Sequence, residues 1–134
     1  MQHVEIQWHD DKQTVLMQYY SNGVTWSDIV AASQEVQATI GAADHPVYTI
    51  VDVTELGHIP HGNMMLMRDV MNVEASENVA MTYICISSRL LTRVYETLMK
   101  TFSRPETTPI QVVGSVEDAL EHIKQSKHEN RKDE

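Results

Sequence analysis

His58 and His61 stand three residues apart, and Met64 follows at the same interval. Imidazole nitrogens suit zinc, copper or nickel and a thioether suits Cu(I), so this spacing is the chain's nearest approach to a ligand set. A metal site needs three or four ligands. His3, His9 and His45 are scattered, and no second cluster completes the set. The expectation is therefore loop histidines and no metal. Asp52 closes the apolar run Val47–Val53, and Thr54 follows it. An acid at a strand end either marks the functional edge of an α/β sheet or accepts N–H bonds from the next loop. Thr54 is expected to hydrogen-bond the strand-end backbone. No phosphorylation site is expected, and Thr54 is the nearest candidate for one. Cys85 falls inside the apolar run Val79–Ile86 and reads as an inert small hydrophobe. Ser87 and Ser88 precede a helical pattern, where capping explains them. The sequence has no Gly-x-Ser-x-Gly elbow, no phosphate-cradling glycine loop and no His-Glu-x-x-His. These residues predict no enzyme, no catalytic residue and no cofactor.

The elements that must position these residues follow from periodicity. Val4–Trp8 alternates apolar and polar, Thr14–Tyr20 is a second strand, and Asp10-Asp11-Lys12 between them supplies a turn, so a β-hairpin is predicted. Thr25-Trp26-Ser27-Asp28 has the spacing of a capping box and opens a helix whose Ile29, Val36 and Ile40 share a face, with Gly41 at its end. Val47–Val53 is a continuous β-branched run, the pattern of a strand buried on both faces. A helix is predicted from His61 to Val73. On it Met64, Met67 and Met71 share one side and Leu66, Val70 and Val73 the adjoining one, an apolar arc wider than one sheet face covers. Val79–Ile86 and Ile110–Val113 are further strands. A helix carrying Leu91, Val94, Leu98 and Phe102 lies between them, and Ser115-Val116-Glu117-Asp118 opens a last helix with Val116, Ala119, Leu120 and Ile123 inward. From Lys124 the chain is charged and is expected to fray. The predicted order is β-β-α-β-α-β-α-β-α, an α/β fold with a mixed, mostly parallel sheet and right-handed crossovers.

With 134 residues, one domain is expected over residues 1–126 and a charged C-terminal tail over 127–134. The formal net charge of -9 opposes a phosphate backbone, and no basic stripe interrupts it, so nucleic acid is not an expected partner. No apolar run is long enough to span a membrane. The N-terminus lacks signal-peptide regions and the single cysteine allows no internal disulfide, which leads to an expected cytoplasmic location.

Three stretches together resemble the STAS domain, the fold of bacterial anti-anti-sigma factors. They are the hairpin, helix and central strand ending Ile50-Val51-Asp52-Val53-Thr54, the distance from Asp52 to the next helix, and Ile110–Val113 followed by Ser115-Val116-Glu117-Asp118-Ala119-Leu120. The resemblance implies a STAS-like fold and a regulatory role through protein contacts. In the regulatory members the helix after the central strand opens Asp-Ser-Ser-Gly-Leu, and its second serine is phosphorylated by a partner kinase. The matching stretch here is Pro60-His61-Gly62-Asn63-Met64, with Gly62 at the serine position and no hydroxyl from Leu56 to Val73.

The functional expectation is a non-enzymatic STAS-like interaction module of a bacterial signalling pathway. Its contacts would come from the 54–60 loop and the methionine-rich helix, with Thr54, His58, His61, Met64, Met65 and Met71 as the surface. Methionine adapts to partners and apolar ligands alike. A protein regulator or a second copy would meet this surface. The alternative is a binding protein for a small apolar ligand such as a lipid, held between sheet and helix.

Overall fold

The computed structural model describes residues 3–56, 78–89, 92–93, 96–97 and 110–132. Strands β1 (Val4–Trp8) and β2 (Val15–Tyr20) form the expected antiparallel hairpin, in register from Val4 opposite Tyr20 to Trp8 opposite Leu16. Asp10 builds the turn. Its carboxylate accepts the N–H groups of Thr14 (2.9 Å) and Val15 (3.0 Å) and the Thr14 hydroxyl, so one side chain satisfies three donors. Gln13 closes the turn at φ 57°, the left-handed region.

Helix α1 (Trp26–Gly41) starts from the predicted capping box. The Thr25 hydroxyl accepts the Asp28 N–H (3.2 Å) and the Asp28 carboxylate accepts the Thr25 N–H (2.9 Å). Its end differs from expectation. Gly41 is the last helical residue, but the cap is Ala42 in the ordinary right-handed region. The side-chain amide of Asn78 donates to the Ile40 carbonyl (3.1 Å) and the Ala43 carbonyl (3.2 Å) instead. The backbone also caps this end, with the Ala42 N–H donating to the Ala38 carbonyl (3.2 Å) and the Ala43 N–H to the Ile40 carbonyl (3.0 Å), so Asn78 adds donors from a distant part of the chain.

Strands β3 (Val47–Asp52), β4 (Val79–Cys85) and β5 (Ile110–Val113) continue the sheet in the order β1-β2-β3-β4-β5, parallel from β2 onward. The central strand β3 is therefore the one ending on Asp52. Helix α2 (Val116–Lys132) closes the described chain. The Ser115 hydroxyl accepts the Asp118 N–H at its start (3.1 Å). This helix runs to Lys132, so the boundary drawn between residues 126 and 127 falls inside it. The helix predicted over His61–Val73 lies outside the described residues. Of the one predicted after Ser88, Arg89, Thr92, Arg93, Glu96 and Thr97 are helical.

The side chains of each strand alternate between two covered faces. On one, Leu16, Val47, Val79, Ile84 and Tyr20 meet Ala32, Val36 and Ile40 of α1. On the other, Val15, Ile50, Tyr83 and Cys85 meet Ala119 and Ile123 of α2, and the His122 ring stacks on Tyr83 at 5.8 Å. Burying each large aliphatic side chain stabilises the fold by roughly 1.5–3 kcal/mol. The α1 face also holds buried polar groups. Thr49 donates to Thr82 (2.7 Å) between the two central strands, and the Tyr20 hydroxyl donates to the Gln18 side-chain carbonyl (2.8 Å). No described helix is long and apolar enough to cross a membrane.

Candidate functional site

Parallel strands end together, so β2, β3, β4 and β5 deliver their C-terminal residues to one rim. At its centre the chain turns immediately after β3. The Asp52 carboxylate accepts both the Thr54 N–H (3.0 Å) and the Thr54 hydroxyl (2.7 Å), and the Leu56 N–H reaches the Val53 carbonyl (3.0 Å). Asp52 therefore accepts from the loop that follows it. Thr54 differs from its expected role: its hydroxyl serves the Asp52 side chain rather than the backbone. The Thr54 carbonyl accepts the Ser87 hydroxyl (3.2 Å), which ties the turn after β3 to the segment after β4. Ser87 is thereby occupied, and it is the Ser88 carbonyl that accepts the Thr92 N–H (2.9 Å).

The rim is acidic. Tyr19, near the end of β2, hydrogen-bonds the Glu55 carboxylate. That bond, with some burial and with the negative charges of Glu55, Asp52 and Glu5, pushes its phenol up to about 12. Tyr19 is thus a neutral donor across the physiological range. Cys85, at the end of β4, is fully buried. Burial first, then the carboxylates of Asp52, Asp118 and Glu117, push its thiol up to about 12. A thiolate is the nucleophile, so Cys85 is inert here, as its place in a buried run predicts.

Of the residues singled out from sequence, Thr54 lies on this rim, half-buried, beside Asp52. His58, His61, Met64, Met65 and Met71 lie outside the described residues. Leu56, within the 54–60 loop, turns inward and is 4% exposed, so that part of the loop belongs to the core rather than to the surface. Among the described residues no three His, Cys, Asp or Glu side chains converge as a metal site. Sequence reasoning missed the Tyr19–Glu55 pair. Its only trace was that Tyr19 alternates against the core-facing Tyr20, and the strand register was needed to set it beside β3. Glu117 and Asp118 were read as helix-start residues, which hides their contribution to the field around Cys85.

No protein-family model matches the chain, and the curated proteins give no significant match to it.

Proposed function

We propose that the chain is a STAS-like, non-enzymatic interaction module of a bacterial signalling pathway. Its contact surface is the 54–60 loop with the helix predicted over residues 61–73, including Thr54, His58, His61, Met64, Met65 and Met71. The observation that supports this most is the position of the Asp52–Thr54 turn. It ends the central strand of a sheet with one antiparallel hairpin and parallel strands beyond, where the resemblance puts the family's regulatory helix. The inert Cys85 and the acidic rim favour recognition over chemistry among the described residues. Self-association through the same surface is one form of this activity.

The test is the paired substitution Met64→Asp and Met71→Asp, with Thr54→Asp made separately. Sedimentation mass and recovery of a defined, stoichiometric partner from the source cells are the readouts. Loss of the assembly in these variants supports the reading, and an unchanged mass with an unchanged partner refutes it.

A second reading, a small apolar ligand with a polar head, is favoured by one observation. Gln18 Nε2, Trp26 Nε1 and Ser33 Oγ are buried and lack a hydrogen-bond partner, all within residues 1% exposed. Such groups cost about 1–3 kcal/mol each unless a guest or water meets them. Native mass spectrometry of protein purified from cells decides it: added mass of a lipid supports this reading and a clean apo mass removes it.

A further inference from the structure

We infer that the open edge of β1 is a docking site for an extended basic segment of a partner protein, added to the sheet as a further strand. This site is separate from the rim after β3, so its failure leaves the proposed function untouched. The inference begins with hydrogen-bond parity. The Ser21 N–H donates to the His3 carbonyl (2.9 Å) and the His9 N–H donates to the Val15 carbonyl (2.8 Å). In an antiparallel ladder these bonds recur at every second residue. His3, Glu5, Gln7 and His9 therefore turn their N–H and C=O groups toward β2, while those of Val4, Ile6 and Trp8 point away from it. Among the described residues β1 is terminal in the sheet order, and those groups form an open row there. Edge strands are normally blunted by lysine, proline or a bulge. β1 has none of these: its sequence is Val-Glu-Ile-Gln-Trp and its register is unbroken.

Beside this edge runs a groove of about 650 Å³ between β1 and α1. Its α1 wall carries Ala31 and Ala32, which leave room, and Asp28 and Glu35, which set its charge; among the described residues no lysine or arginine lines it. Asp28 and Glu35 lie two helical turns apart on α1, roughly 10 Å along its axis. Alternate residues of a strand on one face are spaced by roughly 7 Å, so two lysines of one strand reach both carboxylates with their flexible stems. Residues on the strand's other face would meet Glu5 on the opposite side of β1. Strand addition draws affinity from the main chain and specificity from alternate side chains. Here both sides of the incoming strand face acid, which selects a basic segment with small or apolar residues between the charges. A second copy fits poorly, because it would bring Glu5, Asp28 and Glu35 near their own images in a chain of net charge -9.

The experiment uses the full chain and a fluorescent peptide alternating lysine and valine, read by anisotropy and by amide hydrogen exchange. The expected result is saturable binding with new protection at the Val4, Ile6 and Trp8 amides. Binding should be at least about fivefold weaker in Glu35→Lys, an exposed position where the fold is retained, and intermediate in Glu35→Gln. The same peptide N-methylated at alternate amides, or carrying glutamate for lysine, should not bind. Three results overturn the inference: no binding, equal binding of the N-methylated peptide, or equal binding by Glu35→Lys. Protection of the β1 amides that rises with protein concentration and without peptide also overturns it, in favour of self-pairing.

Discussion

The Lys127 ammonium, deep in the last helix, donates to the Thr14 hydroxyl at the entrance of β2, 2.7 Å away. That hydroxyl in turn donates to Asp10, and the same ammonium stands 5.9 Å from the centre of the Tyr48 ring. One side chain thus joins the two ends of the chain through a turn, a strand and a helix. Lys127→Met keeps the aliphatic stem and removes the donor. It should lower stability by about 1 kcal/mol, read as a shift in urea midpoint at constant slope. A shift within error would mean that the contact is idle.

Asp10 supplies a pH dependence from the same cluster. Burial works against its ionisation, but the Thr14 hydroxyl, the Val15 and Thr14 N–H groups and Lys127 outweigh it and hold the carboxyl below its usual value of 3.8. A lowered folded-state pKa gives stability that is complete above the unfolded value and lost as pH falls through the folded one. The wild type should therefore lose this contribution to stability below about pH 4. Asp10→Asn should be less stable near neutrality by about 1–2 kcal/mol, with a shallower acid limb. Parallel acid limbs in the two proteins would remove Asp10 from the account.

His45 has the opposite sign. Its Nε2 lies 2.8 Å from the Gln13 carbonyl and its Nδ1 2.8 Å from the Asp44 carboxylate. A neutral imidazole carries one N–H, so only the imidazolium donates to both. The Gln13 carbonyl, then Asp44, raise its pKa above 6.5 against a small opposing desolvation. A raised pKa stabilises below the unfolded value, and that stability disappears as pH rises through the folded one. The NMR titration midpoint of His45 should exceed 6.5 and fall toward it in Asp44→Asn. Melting temperature should drop slightly as pH rises past 6.5 in the wild type and stay flatter in His45→Gln.

Cys85 tests the interior directly. With its thiol pushed up to about 12 and no exposed surface, it should not react with a disulfide reagent near pH 8 in the native protein. It should react in urea at the rate of an ordinary thiol. Rapid native labelling would mean that the end of β4 opens, and the rim would then hold an accessible nucleophile.

Much of this fold is legible from local pattern. The alternation in Val4–Trp8 and the β-branched run from Val47 mark strands whose bounds agree within a residue, and Thr25 with Asp28 marks the first turn of α1. What stays hidden are relations that local pattern does not encode. Asn78 helps to cap the end of α1 from across the fold. Tyr19 meets Glu55 only once β2 and β3 are paired. The polar run after Lys124 looks like a solvated tail because sequence does not show that Tyr48 and Thr14 lie beneath Lys127. The groove along β1 depends on which strand ends the sheet, a property of strand order. The acid at the end of β3 was legible as an acceptor for the loop that follows it. Its Thr54 partner was legible only as a hydroxyl with some local bond to make.

The paired hydroxyls of Thr49 and Thr82 give the sharpest test of the central strands. Both are buried, 0% and 2% exposed, and Thr49 donates to Thr82 across the β3–β4 ladder, where the two residues are register partners. Thr82→Val strands the Thr49 hydroxyl without its acceptor in the interior, which should cost about 1–3 kcal/mol. Thr49→Val removes the donor but fills the same volume, and should cost about 1 kcal/mol. Valine at both positions leaves no hydroxyl of this pair to desolvate. The double variant should therefore lose less than the two singles added together, by roughly 0.5–1.5 kcal/mol. Strict additivity in urea unfolding would mean that the two hydroxyls act independently, and that β3 and β4 are held together by their backbones and apolar neighbours alone.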